Sequence, residues 1–381
     1  MRYEGLELWW VDLALRQPVG TSAGTHLARP VAFVRVLADG CDGWGECGAL
    51  PDGTAVDPPL DQVWRTLVDV VPGRLARAAA ARSGEVPEGS VVANLFGTTA
   101  TDRLATAAVE MAVLDLELQA AGRSLADYLG VPDEVRGQGV PAGAMVGIPA
   151  DGQVATLLDA VGGLVNRGFG RVRVKIRPGW DVAPLAALRQ AFPDLVLQAD
   201  ANAAYRLDDA SRLATLDDLD IGCLEQPLAP GDLPGHAALA DRLATRIGLD
   251  ESLTTVRAVT DAIRYGACEV ACLKPARLGG LLAARRAQQG CLDAGVSAFV
   301  GGLFETGLGR TANAVLAGLP GFDLPGDLAD PGEYLVRNPA PYRPMAGGRV
   351  ALPEGPGVGS RPDVAVLSQL GAVVARFGAT A

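Results

Sequence analysis

The sequence predicts an α/β protein, a TIM-type (β/α) barrel carrying an α+β capping domain. From about residue 140, short apolar runs alternate with helical segments rich in Ala, Leu and Arg, the pattern of βα units on a parallel sheet. The runs end near Ile148, Ile176, Ala199, Leu224, Leu249, Leu273, Val300 and Leu324, about 25 residues apart, which leaves room for one strand, one helix and two short loops per unit. Eight such units close a barrel. The third observation is chemical: Lys175, Asp200, Glu225, Asp250, Lys274 and Glu305 stand where runs stop. Barrel strands deliver their C-terminal ends to one shared mouth, so residues 25 apart in sequence are expected to converge in space.

Residues 1–135 read differently, as the α+β capping domain. Val31 to Val36 form an alternating run, Asp39-Gly40 supplies a turn, and Leu104, Ala107, Ala108, Met111, Leu114 and Leu118 fall on one helix face that Gly122 can terminate. The barrel is expected over 136–330. The Pro- and Gly-rich tail, 331–381, is expected to return to the capping domain and complete it.

Composition narrows the function. A net charge of −11 argues against a nucleic-acid or anionic-membrane surface, either of which needs clustered cations. No stretch reaches eighteen apolar residues and the N-terminus carries no basic segment followed by an apolar run, so a cytoplasmic protein without a membrane partner is expected. Six scattered cysteines without a C-x-x-C pair read as reduced, buried thiols. A small-molecule substrate is the expected partner, and homo-oligomerisation stays open.

Of 33 basic residues only Lys175 and Lys274 are lysine. Arginine keeps its proton at any accessible pH, whereas a lysine ammonium beside other cations or in an apolar pocket can release one near neutrality. Two lysines kept among 31 arginines therefore mark proton transfer. Singly, Asp200 could cap a helix, Glu225 could pair with an Arg, and Asp250 could close a turn. In register, three carboxylates at one mouth repel unless a cation joins them. Oxygen ligands alone suit a hard ion, Mg²⁺ or alternatively Mn²⁺, and disfavour zinc. The only histidines, His26 and His236, lie outside the series. Lys175 and Lys274 come from the strands flanking the three acids and can address both faces of a substrate carbon next to a carboxylate, with the metal holding the charge that develops. The metal and Arg173 are expected to lower the pKa of Lys175 and favour its basic form.

These residues resemble the enolase superfamily, its muconate-lactonising subgroup, and within it the o-succinylbenzoate synthase and N-acylamino acid racemase family. The resemblance runs over most of the chain: Thr21-Ser22, Gly43-Trp44-Gly45-Glu46-Cys47, Lys175-Ile176-Arg177-Pro178-Gly179-Trp180-Asp181, Asp200-Ala201-Asn202, Glu225-Gln226-Pro227-Leu228 and Asp250-Glu251-Ser252. It continues through Lys274-Pro275-Ala276-Arg277-Leu278-Gly279-Gly280, Gly301-Gly302-Leu303-Phe304-Glu305-Thr306-Gly307 and Asp323-Leu324-Pro325-Gly326-Asp327.

The resemblance implies Mg²⁺ on Asp200, Glu225 and Asp250, and catalysis by Lys175 and Lys274 through an enediolate. In a synthase one lysine takes the α-proton and returns it to the departing hydroxyl while the other stays a cation; in a racemase both exchange protons. Arg173, Asn202 and Glu251 are implied as supporting residues, and Gly302, Leu303, Phe304 and Glu305 as lining the substrate pocket. Cap loops near Val19 to Ser22, with Val19 and Thr21, and near Cys47 to Leu50, with Leu50, are implied to close over it. The leading expectation is dehydration to o-succinylbenzoate in menaquinone synthesis; racemisation of N-acylamino acids, dipeptide epimerisation and muconate-type cycloisomerisation are the alternatives.

Three positions depart from the family pattern. Arg173-Val174-Lys175 stands for the usual Lys-x-Lys, with the catalytic position kept. A fixed cation at 173 is still expected to bind a carboxylate. Met145 replaces a small hydroxyl residue that touches substrate, and Val19 replaces an aromatic, so both bear on which acid is bound.

Overall fold

The computed structural model describes residues 1–21 and 24–379, and the side chains of all of these except 19–21, 24 and 25. The chain opens with strands β1 (Tyr3–Thr21), β2 (Gly24–Ala38) and β3 (Cys41–Cys47). Helices α1 (Leu60–Asp69), α2 (Val71–Ala81), α3 (Ala100–Ala120), α4 (Leu125–Leu129) and α5 (Asp133–Gln138) follow. The alternating part runs β4 (Val140–Val146), α6 (Val154–Asn166), β5 (Arg171–Lys175), α7 (Val182–Ala191), β6 (Val196–Asp200), α8 (Ala210–Leu213), β7 (Cys223–Glu225) and α9 (Leu233–Ala240). It continues through β8 (Ile247–Leu249), α10 (Val256–Tyr265), β9 (Val270–Leu273), α11 (Pro275–Leu278), α12 (Leu281–Asp293), β10 (Ser297–Val300), α13 (Gly307–Leu316) and β11 (Gly326–Asp327). The tail adds β12 (Met345–Ala346), β13 (Arg349–Val350), α14 (Val364–Gln369) and β14 (Val373–Gly378).

Strands β14, β1, β2 and β3 form an antiparallel sheet in that order. The turn between β2 and β3 places Asp39 at φ 47° and Gly40 at φ 70°, positive at both central positions as a tight hairpin turn requires. Strand β3 lies against α3, and a Cβ on Gly43 or Gly45 would collide with the carbonyls of Ala112 and Ala108. That close approach explains Gly-Trp-Gly, whose Trp44 turns to the other face and packs against Trp9 and Phe33. The one-faced reading of α3 needs correction. A capping box of Thr99 and Asp102 starts the helix, and Leu104 through Leu116 are buried without interruption. With the sheet on one side and α11 and α12 on the other, no face is left for solvent.

The barrel strands are parallel, in the order β10, β9, β8, β7, β6, β5, β4, and β11 pairs with the free side of β4. Between β10 and the segment entering β11 the join is a backbone bond from Leu324 N to Ala298 O at 3.3 Å, with Asp323 Oδ1 accepting from Ala298 N at 3.1 Å. Pro325 has no N–H to extend a ladder there, and β11 is two residues long. The first and last strands therefore end at Val146 and Asp327 rather than at Ile148 and Leu324.

In the register, Lys175 is level with Asp200 and Asp200 with Glu225. Asp250 and Lys274 follow the last residues of β8 and β9 directly. The tail serves both halves: β14 completes the cap sheet, whereas the β12–β13 hairpin pairs with β4, which corrects the expectation that the whole tail joins the cap.

Three buried polar joints hold the cap on the barrel. Glu46, from β3, accepts from Thr306 N at 2.8 Å, Thr306 Oγ1 at 2.6 Å and Gly309 N at 2.9 Å, at the start of α13. Glu110, from α3, accepts from Leu281 N at 2.5 Å at the start of α12. Both carboxylates meet unsatisfied N–H groups and the positive end of a helix dipole. Arg277 forks onto Asp57, in the loop after β3, with Nε at 3.0 Å and Nη2 at 2.8 Å from Oδ2.

Two outcomes follow from these joints. Burial pushes the Glu110 carboxyl up to about 8, from an ordinary value of 4.5. The native state then binds more protons than the unfolded chain across that window, so this group's contribution is present below pH 4.5 and is lost as pH rises through about 8. Glu110→Gln keeps an oxygen acceptor without ionising, so its urea midpoint should fall less between pH 5 and 8 than the wild-type midpoint does; equal slopes would show that Glu110 does not titrate there. Asp57→Ala leaves Arg277 buried with half its partners gone and should cost about 3 kcal/mol in urea unfolding.

Candidate active site

A cavity of about 300 Å³ opens at the C-terminal ends of the barrel strands, facing the loop after β3. Its polar wall includes Lys175, Asp200, Asn202, Asp250, Glu251 and Lys274. Its apolar wall includes Met145 from β4, Leu303 and Phe304 from the loop after β10, and Leu50 from the cap. Gly302 also lies on it. Of the residues spaced by about 25 along the chain, Lys175, Asp200, Asp250 and Lys274 thus meet on one cavity wall.

Each lysine sits on a carboxylate. Lys175 Nζ donates to Asp200 Oδ2 at 2.7 Å and to Asn202 Oδ1. Lys274 Nζ donates to Asp250 Oδ2 at 2.6 Å, and Arg277 Nη1 takes Asp250 Oδ1 at 2.5 Å. Burial works against the Lys274 charge, but Asp250 outweighs it and holds the ammonium above its ordinary value. Burial also works against the Asp250 carboxylate, and Lys274 and Arg277 hold it well below the usual range. Asn202 joins the two sides, because its Nδ2 donates to Glu251 Oε1 at 2.8 Å while its Oδ1 accepts from Lys175. Its backbone is left-handed, at φ 41°, a conformation asparagine tolerates better than most residues.

Glu225 is fully buried and does not reach the cavity surface. Arg173 Nη1 holds its Oε1 at 2.5 Å, and Arg173 Nη2 holds Asp327 Oδ2 at 2.5 Å. Oε2 of Glu225 has no hydrogen-bond partner among the described residues, and neither has Oε2 of Glu251. Burial first, and then Asp200 and Asp250, push the Glu225 carboxyl up despite Arg173. A carboxylate held this way is poorly compensated, and a divalent cation could supply the positive charge it lacks.

The residues fit such an ion. Ligand atoms of Glu225, Asp250 and Cys272 lie within 4.8 Å of one another. Asp200 is outside that group, with Oδ2 drawn to Lys175 and Oδ1 accepting from Asn202 N at 3.0 Å. Cys272 was read from the sequence as a buried thiol and not as part of the site. It follows Ala271, the partner of Leu249, and so stands level with Asp250. Burial raises its thiol far above the ordinary value, which keeps it a protonated, weak donor and leaves the carboxylates to select a hard ion.

Glu305 departs from its implied place on the pocket wall. Its Oε1 accepts from Leu303 N at 2.8 Å and Asn313 Nδ2 at 3.0 Å, and Oε2 pairs with Arg310 at 3.1 Å, so it braces the loop behind the wall. The side chains of Val19 and Thr21, and residue Ser22, lie outside the described residues. One cysteine also departs, since Cys41 is exposed while the other five are buried.

Several cavity residues escaped the sequence reading. Arg277 was visible in Lys274-Pro275-Ala276-Arg277, and Asp327 in the last strand motif, but neither carried a role. Tyr334 and Arg310 also line the cavity, and Phe304 meets Tyr334 edge to face at 5.5 Å. Tyr334 comes from the tail, and no spacing rule links it to the barrel.

Comparison with known proteins places the chain. Residues 156–366 match the family model described as enolase C-terminal domain-like, and residues 7–130 the mandelate racemase / muconate lactonizing enzyme N-terminal domain. An N-succinylamino acid racemase from Amycolatopsis is 40% identical over 374 residues, covering 97% of this chain and 98% of that one. An o-succinylbenzoate synthase from Geobacillus kaustophilus is 35% identical over 355 residues, covering 93% and 92%. A solved enolase superfamily member from Listeria innocua superposes with a TM-score of 0.90 at 29% identity, covering 100% of both chains. The two family models, in the order cap then barrel, put this chain in the enolase superfamily, among the mandelate racemase and muconate lactonizing enzymes.

Proposed function

We propose that this protein removes the proton next to a substrate carboxylate, and that it acts as an o-succinylbenzoate synthase, the lyase that dehydrates a cyclohexadiene carboxylate in menaquinone synthesis. The observation that carries the reading is the pair of lysines, each held by a different carboxylate on the wall of one cavity. Asp200, Glu225 and Asp250 would hold Mg²⁺, or Mn²⁺ in its place, with Arg173, Asn202 and Glu251 in support. When bound, the ion supplies positive charge to the substrate carboxylate as the α-proton leaves.

Lys175 and Lys274 divide the work. Asp250 keeps Lys274 an ammonium, which suits the group that stabilises developing negative charge. Lys175 is the less buried amine, bonded to Asp200 and Asn202, and suits the group that takes the α-proton and returns it to the departing hydroxyl. Leu50, Met145, Leu303 and Phe304 supply an apolar wall for a carbocyclic acid and exclude water from the reacting carbon. The chain is read as a cap, 1–135 completed by β14 from the 331–381 tail, over a barrel, 136–330, in a cytoplasmic enzyme with a small carboxylate as its partner. In support, none of the described helices is long and apolar enough to cross a membrane.

A second reading, racemisation of N-acylamino acids, is favoured by the 40% identity to the Amycolatopsis racemase. It uses the same lysines, one on each face of the α-carbon. Purified protein with Mg²⁺ should convert the cyclohexadiene acid to the aromatic product, and absence of that product would remove the synthase reading. Lys175→Ala and Lys274→Ala should each lower turnover by about 10²–10⁴-fold. In D₂O, recovered N-succinylamino acids should gain α-deuterium only if the racemase reading holds, and each lysine variant should then exchange one enantiomer alone.

A further inference from the structure

The segment Glu225-Gln226-Pro227-Leu228 contributes a carboxylate to the site, yet its second residue is as deeply buried as its first. Gln226 adopts φ 40°, in the left-handed region that a non-glycine residue enters only where its surroundings impose it. Here the side chain is the imposing element. Gln226 Oε1 accepts from Asp250 N at 3.1 Å and from Ser252 N at 3.1 Å. Gln226 Nε2 donates to Leu228 O at 3.0 Å and to Ser252 Oγ at 2.9 Å. Both lone pairs and both N–H groups of the amide are used, which is the full capacity of the side chain.

Every one of those bonds reaches the turn that carries Asp250 and Glu251 or the segment that carries Glu225. His236 secures the second of these: its Nε2 accepts from Leu228 N at 3.2 Å, and its Nδ1 faces Asp232 O at 2.7 Å as donor. Strand pairing alone does not do this work, because the last ladder pair between β7 and β8 is Glu225 with Gly248, two residues short of Asp250. Beyond that pair, the hydrogen bonds that cross directly from the Glu225 segment to the Asp250 turn come from one amide.

We propose that Gln226 is a positioning residue for the metal site, fixing Asp250 at its distance from Glu225 by accepting from the two backbone amides of the Asp250–Ser252 turn. The inference rests on the metal-dependent reading of the site. Groups that orient ligands without touching the ion typically change affinity by about 10–100-fold when removed.

Mn²⁺ serves as the probe, its free concentration read by electron paramagnetic resonance against the full-length, metal-free protein at fixed pH. Gln226→Met, of similar length and without polar atoms, should bind Mn²⁺ about 10–100-fold more weakly than wild type. Gln226→Glu, which keeps an acceptor for both amides, should recover about tenfold of that loss or more. A fold-wide effect would lower the metal-free melting temperature of both variants without separating their affinities. Equal affinity of wild type and Gln226→Met, or of Gln226→Met and Gln226→Glu, overturns the inference. If Gln226→Met does not fold, Gln226→Asn replaces it, since its shorter side chain cannot span to both amides; wild-type affinity there overturns the inference in the same way. Absence of Mn²⁺ binding by the wild type would instead overturn the metal-dependent reading itself.

Discussion

The structure depends on one electrostatic constraint, the gathering of like charges at the barrel mouth. Asp200, Glu225, Asp250 and Glu251 are all nine-tenths buried or more, and burial of ionised carboxylates costs several kcal/mol apiece unless cations and hydrogen-bond donors surround them. Lys175, Lys274, Arg277 and Arg173 each take one of these acids. Compensation is uneven. Asp250 has two cations and is held low, whereas Glu225 has one and is pushed up, with an oxygen left over. The site is therefore most deficient in positive charge beside Glu225, where the ligand atoms of Asp250 and Cys272 also lie.

The same constraint accounts for the cap. A charged mouth open to water would lose much of its field to screening, and the cap loop after β3 both covers it with Leu50 and reaches into the charge network through Asp57. Arg277 stands between Asp57 and Asp250 and bonds both, so the loop that closes the cavity and an acid on its wall share one guanidinium. Glu46 and Glu110 add to the docking by meeting the starts of two barrel helices with side chains from the cap.

What could be read in the sequence was what repeats. A parallel barrel imposes a period on the chain, so Lys175, Asp200, Glu225, Asp250 and Lys274 announced both the fold and the convergence of the charges. The glycines of Gly43-Trp44-Gly45 were legible as a motif, though their reason, the backbone of α3 pressed against β3, needs the packed structure. Residues with aperiodic origins stayed hidden: Asp57 lies in a cap loop, Tyr334 in the tail, and Cys272 on a strand whose inward face alternation alone does not declare. Glu305, like the periodic charges, follows the end of an apolar run, but it lies 31 residues after Lys274, and the loop after β10 turns through Phe304 at φ 56° before reaching it.

Arg173 shows how a departure from the family pattern fits the same logic. With a lysine at that position, a single ammonium would face Glu225 and Asp327 together. The planar guanidinium gives each its own nitrogen, Nη1 to Glu225 and Nη2 to Asp327, while its carbon lies 5.6 Å from the Phe299 ring centroid. Arg171, one layer down, repeats the arrangement, with Nη1 3.1 Å from the other oxygen of Asp327 and its carbon 5.1 Å from the same ring. The two arginines thus tie the last strand to the second across a ladder of two residue pairs, and one of them also fixes Glu225 by a single oxygen. The carboxylates that the cation at 173 meets are the protein's own. That leaves Lys175 and Lys274 as the lysines of a chain that otherwise uses arginine, both on the wall of the same cavity and each bonded to a carboxylate.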